Sequence, residues 1–197
     1  MATEPFNPLD KRNLGISIAN AIFESIAIPL AEVPVFEGVG VYAIYYMGDF
    51  PLYRKISHAN RENFFQPIYA GKAVPKGSRR GGLGLEAPTG NDLYNRLKDH
   101  KKSIEAVGNL RISHFTCRFL LVDDIWIPLG ESLLIEKTRP LWNIVLDGFG
   151  NHDPGSGRHQ QQISPWDTLH PGRPWAHNLQ AGKKEEEVIS MVEAFLN

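Results

Sequence analysis

Two short runs constrain this chain most: Gly38-Val-Gly-Val-Tyr-Ala-Ile-Tyr-Tyr46 and Pro67-Ile-Tyr-Ala-Gly-Lys72. Both are rich in β-branched and aromatic residues and bounded by Gly or Pro, which predicts strands. Each sets a tyrosine close to a glycine, in Gly40-Val41-Tyr42 and in Tyr69-Ala70-Gly71. A glycine in a strand lets another backbone or a ligand come close. A nearby tyrosine can aim a phenol into that space, and a phenol is a donor, an acceptor and, once deprotonated, a base. On these two runs alone, the ordinary reading is a half-buried sheet.

Residues further along the chain add chemistry to that sheet. Thr89 to Ala106 predicts a helix capped by Thr89 or Asn91, with Leu93, Leu97 and Ile104 on one face. Arg96 and His100 sit one turn apart on another face. Pro128 to Thr138 predicts a second helix, opened by proline and stopped by Pro140. It carries Glu131 early and Glu136 late, the latter read as a surface charge, and Asn143 lies just beyond it. A lone glutamate early in a helix ordinarily complements the dipole, an effect of about 0.3–1 kcal/mol.

Taken in this order, these residues resemble the GIY-YIG nuclease superfamily. Gly40-Val41-Tyr42 stands for the first tripeptide and Tyr69-Ala70-Gly71 for the second. Arg96 matches the family's helix arginine, Glu131 its single metal-binding glutamate, and Pro140 with Asn143 its closing Pro-x-x-Asn. The resemblance runs from Gly38 to about Asn143. The segment from Gly71 to Lys76 and the run Asp147 to Gly157 look most like the type II restriction branch that cuts CCGCGG.

The resemblance implies an α/β (α+β) fold: a small, mainly antiparallel three-stranded sheet flanked by helices, with an N-terminal helix, an insertion and a C-terminal extension. It implies one divalent ion, Mg²⁺ or Mn²⁺ in its place, held by Glu131. Mg²⁺ keeps most of its waters and shares phosphate oxygens, so one carboxylate suits it. Tyr42 is the candidate general base or water-orienting group. His100, whose ordinary pKa lies nearer neutrality, is the alternative base or a hydrogen-bond partner of the scissile phosphate. Arg96 offers a planar fork to the charge on a pentacovalent phosphate. Tyr69 positions water or phosphate, Lys72 contacts phosphate, and Asn143 holds the loop near Glu131.

Sequence readout falls to the elaborations: Arg158, His159, Gln160 and Arg173, with Lys76, Arg79 and Arg80 also candidates. Any one of them could equally bind phosphate, the commoner fate of such side chains. A palindromic site asks for two-fold symmetry, so the resemblance implies a homodimer. A cognate DNA methyltransferase is expected in the same cell.

Composition is compatible with this. The formal net charge is −1, which alone argues mildly against a nucleic-acid partner. Charge acts locally, however. Lys72, Lys76, Arg79 and Arg80 run without an acid, Arg96, Lys98, Lys101 and Lys102 come next, and acids gather at Glu185 to Glu187. The Gly-rich stretch Lys76 to Gly84 lacks the Gly-Lys-Ser/Thr ending of a triphosphate loop. The lone Cys117 excludes an internal disulfide and a cysteine zinc site, and it reads as a buried small hydrophobe. No apolar run reaches membrane-spanning length and no signal peptide is visible, so a cytoplasmic location is expected.

The 197 residues read as a single domain. Residues 1–36 form an arm and a helix over Lys11 to Ala27 capped by Asp10, and residues 37–143 form the core. Within the core, residues 48–66 are an insertion, either a surface excursion or a DNA-contacting or dimer-forming element. A third strand is expected over Arg111 to Val122. Residues 144–197 form an extension: an irregular stretch from Gly148 to Ala181, folded down by Trp166 and Trp175, and a helix from Glu185 to Leu196. Two alternatives stay open: a repair- or homing-type GIY-YIG nuclease, and a DNA-binding protein on this fold without catalysis.

Overall fold

The structure is a computed structural model that describes residue 7 and residues 10–75 and 90–197. Helix α1 spans Lys11–Glu24. The Asp10 carboxylate caps it, accepting from the Arg12 N–H at 2.8 Å. It stops three residues before the expected Ala27, because Ser25 turns back onto Ile22 and the chain leaves extended into β1, Ile28–Pro29. Strands β2 (Gly40–Tyr46) and β3 (Tyr69–Ala73) fall on the predicted runs. Strand β4 (Phe115–Leu121) lies within the expected Arg111 to Val122 but starts four residues later, because Ile112–His114 forms a 3-10 turn.

The sheet has four strands in the order β1-β4-β2-β3, every neighbouring pair antiparallel. The expected three strands are therefore four. The extra one is two residues long, and its proline is tolerated because it pairs at an edge, where no second neighbour needs an N–H.

Every residue of β2 is buried, since helices cover both faces. Tyr42, Ile44 and Tyr46 join Leu93, Leu97, Ile104 and Trp142 on one side. Val41, Ala43 and Tyr45 join Ile22, Ile127 and Leu134 on the other. The side-chain period of two thus divides one strand between two cores.

Helices α3 (Asp92–Glu105) and α4 (Ile127–Thr138) supply those flanks. Asn91 sits at the N-cap of α3, but its side chain makes no capping bond. Beyond α4, Arg139 adopts the left-handed conformation at φ 44°, and Pro140 leads into α5 (Leu141–Ile144). The insertion is more than a bare excursion: it holds α2, Arg54–Asn60. Tyr53 and Ile56 are buried in the main core. The Asn60 amide donates to the carbonyls of Tyr46 (3.1 Å) and Gln66 (2.9 Å) and accepts from the N–H groups of Phe65 and Gln66.

The C-terminal part adds α6 (Pro165–Leu169) and α7 (Glu185–Leu196). Phe149, Trp166, Val188 and Val192 pack into the same cluster as Tyr42 and Trp142, so residues 144–197 share one core with the sheet. Trp166 is fully buried, as expected, and Trp175 is half-buried. Cys117 is buried too, and its thiol is pushed up to about 12 by desolvation. Among the described residues, no helix is long and apolar enough to cross a membrane.

Candidate active site

The register of β2 on β3 explains why a tyrosine and a glycine recur in the two runs. Tyr42 pairs with Gly71, and Ile44 with Tyr69. A Cβ at Gly71 would stand 2.4 Å from the Tyr42 hydroxyl, inside any tolerable contact. Gly40 is constrained in the same way: its Cβ would meet the Leu120 carbonyl oxygen at 2.0 Å. Gly71 therefore makes room for the phenol, and Gly40 lets β2 close onto β4. The rings of Tyr42 and Tyr69 lie side by side, their centroids 6.2 Å apart.

The Tyr42 hydroxyl and His100 Nε2 share a 2.6 Å hydrogen bond. Burial raises the phenol well above its ordinary pKa of 10.0, the charge of Tyr69 adds to this, and Arg96 opposes it. Burial also holds the imidazole well below 6.5, with Arg96, His152 and Arg173 acting in the same direction. Both groups are thus neutral at neutral pH. His100 is 2% exposed, stacked on Phe149 at 4.5 Å and edge-on to Tyr69 at 5.1 Å. The helix therefore turns His100 inward onto Tyr42 and away from solvent.

Arg96, one turn earlier on α3, reaches the same place. Its Nη2 donates to the Gly150 carbonyl at 2.8 Å, and its Nη1 hydrogen-bonds His152 Nε2. Burial and the neighbouring Arg96 lower the His152 pKa, so a neutral imidazole accepts. Gly150 is pressed against the site: a Cβ there would lie 2.6 Å from the Tyr69 hydroxyl and 3.0 Å from Arg96 Nη2.

Glu131 faces Lys72 across a 2.6 Å ion pair, the two side chains 20% and 37% exposed. Its negative charge raises the pKa values of both Tyr42 and Tyr69, so its electrostatic reach includes the phenols. Among the described residues, no three His, Cys, Asp or Glu side chains cluster as metal ligands. A single, partly exposed carboxylate fits a hard cation that keeps a mostly aqueous shell, and does not fit a zinc-type cage. Beside it opens a cleft of about 440 Å³ lined by Lys72, Arg96, Lys98 and Lys102, with Asp92 and Asp99 among them.

Asn143 sits on the free edge of β3. Its Oδ1 accepts from the Ala70 N–H and its Nδ2 donates to the Ala70 carbonyl, each at 2.8 Å. The side chain acts as one more strand pairing for the middle residue of Tyr69-Ala70-Gly71.

The expected DNA readers fare differently. Lys76, Arg79 and Arg80, with Thr89, lie outside the described residues. Arg158 and Gln160 are exposed and His159 is half-buried. Arg158 borders a polar cleft of about 320 Å³ that also exposes His152, Asp153 and Gln161. Arg173 is a correction: it is 2% exposed, and its guanidinium is spent on Asp167 and on backbone carbonyls. No donor is left to face a base. Sequence reading missed Phe149, Gly150, His152 and Asp167 at or behind the site. The run Asp147 to Gly157 stood out as a motif, but nothing in it showed that it folds back onto Arg96.

A family model, that of the Eco29kI GIY-YIG domain, matches residues 34–196. No curated protein matches the chain.

Proposed function

The chain belongs to the Eco29kI GIY-YIG domain family and is a GIY-YIG nuclease of the restriction type; from that premise, we propose that it hydrolyses double-stranded DNA at one palindromic, G·C-rich sequence, CCGCGG. The observation that carries the reading is the convergence of Tyr42, Tyr69, Arg96 and His100 between one face of the sheet and α3, with the Glu131 charge bearing on the same phenols. A phosphodiesterase needs a base for the attacking water, charge stabilisation at phosphorus and help at the leaving oxygen, and these residue types can supply the first two.

The Tyr42–His100 pair serves as the base. With its own proton on Nδ1, His100 accepts the phenol proton as Tyr42 takes one from water. The hydroxide attacks phosphorus, the bond to the leaving oxygen breaks, and solvent protonates that oxygen. Tyr69, the less buried phenol, orients the water. Tyr42 is fully covered in this structure, so the phosphate reaches the pair once Arg96 exchanges Gly150 and His152 for phosphate oxygens. Glu131 would hold the Mg²⁺, which would polarise a phosphate oxygen and neutralise charge at the leaving group. Lys72, paired with Glu131 in this structure, contacts phosphate.

Arg158, His159 and Gln160 take the reading of bases, with Lys76, Arg79 and Arg80 on the backbone or the grooves. The protein acts as a homodimer, in the cytoplasm, beside a methyltransferase of the same specificity. The test is a pair of duplexes, one holding a single CCGCGG and one with a base pair changed, each incubated with Mg²⁺, with Mn²⁺ and with EDTA. Metal-dependent cleavage of the first duplex alone supports the reading. Cleavage of both, or binding without cleavage, contradicts it.

A further inference from the structure

All five N–H donors of Arg173 are engaged. Nε and Nη2 form a fork on the Asp167 carboxylate, at 2.6 and 2.5 Å. Nη1 donates to the carbonyls of Phe149 and Asn151, both at 3.1 Å, and Nη2 donates to that of Gly148 at 2.8 Å. An arginine has no further donor to give. The guanidinium lies over the rings of Trp166 and Trp175, 4.7 and 4.5 Å from their centroids. Asp167 is 1% exposed and also accepts from the Ser164 hydroxyl at 2.6 Å. A buried ion pair of this kind is a poor source of net stability but a strict geometric constraint.

The constraint falls on one segment. Three carbonyls out of four in residues 148–151 point at Arg173, and the fourth, that of Gly150, points at Arg96. Phe149, in the same segment, stacks on His100. Gly148 adopts φ 108°, and a Cβ there would fall 2.1 Å from the Ser164 hydroxyl, so the turn closes only on glycine. The segment therefore connects the Asp167–Arg173 pair to two of the residues the proposed chemistry uses.

We infer that Asp167 and Arg173 are positioning residues: the pair fixes the backbone of residues 148–151, and through it the orientation of Arg96 and the packing of His100. The catalytic part of this inference rests on the nuclease reading above; the positioning part does not. The variant Arg173→Lys keeps the charge and loses the fork that holds three carbonyls. Asp167→Asn, which keeps the planar shape and loses the charge, serves if the first variant does not fold. Two readouts are taken on protein whose melting curve shows it folded.

The first is the set of imidazole resonances of His100 and His152, compared with wild type and with Glu24→Gln, an exposed position on α1 on the other side of the sheet. Both resonances shift in the Arg173 and Asp167 variants and stay put in Glu24→Gln. Unmoved His100 and His152 signals overturn the inference whatever the activity. The second is cleavage of the CCGCGG duplex. The Arg173 and Asp167 variants lose about 30-fold or more in kcat, while KM and binding to DNA without metal change by less than about two-fold. A loss confined to DNA binding would make Arg173 a DNA contact and overturn the inference. If the wild-type protein cleaves no DNA while the resonances shift, the nuclease reading fails and the positioning stands.

Discussion

The Tyr42 hydroxyl stands 2.6 Å from His100 Nε2, although 58 residues separate the two in sequence. The strand supplies the phenol, the helix supplies the imidazole, and burial keeps both neutral. Neither group alone makes a good base at pH 7, since the phenol holds its proton too tightly and the imidazole binds one too weakly. In the proposed mechanism their hydrogen bond makes them a relay of two short proton transfers that leaves no phenolate behind. The proposed base catalysis depends on that relationship.

Removing the hydroxyl tests it. Tyr42→Phe leaves His100 Nε2 buried without its partner, at a cost of about 1–3 kcal/mol in stability. It should lower kcat by about 10²–10⁴-fold, the range for loss of a general base, with little change in KM. Single-turnover cleavage and urea unfolding measure the two effects separately. A variant that cuts at the wild-type rate removes the pair from the mechanism.

Gly71→Ala places a methyl group 2.4 Å from the Tyr42 hydroxyl. The strands must shift or the phenol must leave His100, at a cost of about 1–3 kcal/mol, and cleavage should fall with it. Gly108→Ala is the control, since nothing lies within 4 Å of its Cβ. Equal unfolding midpoints for the two variants would show that close packing at Gly71 is unimportant.

Arg96→Lys keeps a charge but loses the fork that reaches Gly150 and His152 together. Cleavage is expected to fall by about 10²–10³-fold, comparable to losing one transition-state donor, without rescue at higher Mg²⁺. Near-normal cleavage would take Arg96 out of the chemistry.

Two buried histidines make stability depend on pH. His170 is held down to about 3 by burial, with Tyr53 on Nε2 at 2.5 Å and Asn109 on Nδ1 at 2.9 Å. His100 is depressed as well. Below about 6.5, the unfolded chain binds protons at these sites and the folded chain does not, so stability falls as pH falls. The slope reaches about 1.4 kcal/mol per pH unit for each histidine. Urea unfolding at pH 7.5, 6.5 and 5.5 should show this decline, and His170→Gln should show a shallower one. Stability that rises on acidification would contradict the assignment.

The parts legible in sequence were those set by local pattern. Alternating aromatic and β-branched residues marked β2 and β3, and the i, i+4 spacing of Arg96 and His100 put them one turn apart on α3. Asp10 was readable as a cap because its side chain acts on its own helix. The parts that were not legible depend on distant partners. Ile28–Pro29 becomes a strand because β4 offers an edge, not because of its composition. The spacing that put His100 beside Arg96 as a candidate base carried no sign that Phe149 would cover it. Arg173 read as a DNA contact because a basic residue in a Gly/Pro-rich stretch is usually exposed, and only Asp167 and three carbonyls show otherwise. Helix α6 did leave a local signal, Ser164-Pro165 with Asp167 two residues on, and Ser164 capping the Asp167 N–H.

The most direct test of restriction-type cleavage is a digest of a sequenced plasmid by the purified protein, with Mg²⁺ and with EDTA, beside Glu131→Ala. The predicted result is a set of discrete fragments that map to CCGCGG, require the metal and vanish in Glu131→Ala, while that variant still binds DNA. A smear, nicks at irregular structures, or fragments that persist in EDTA or in Glu131→Ala would contradict it.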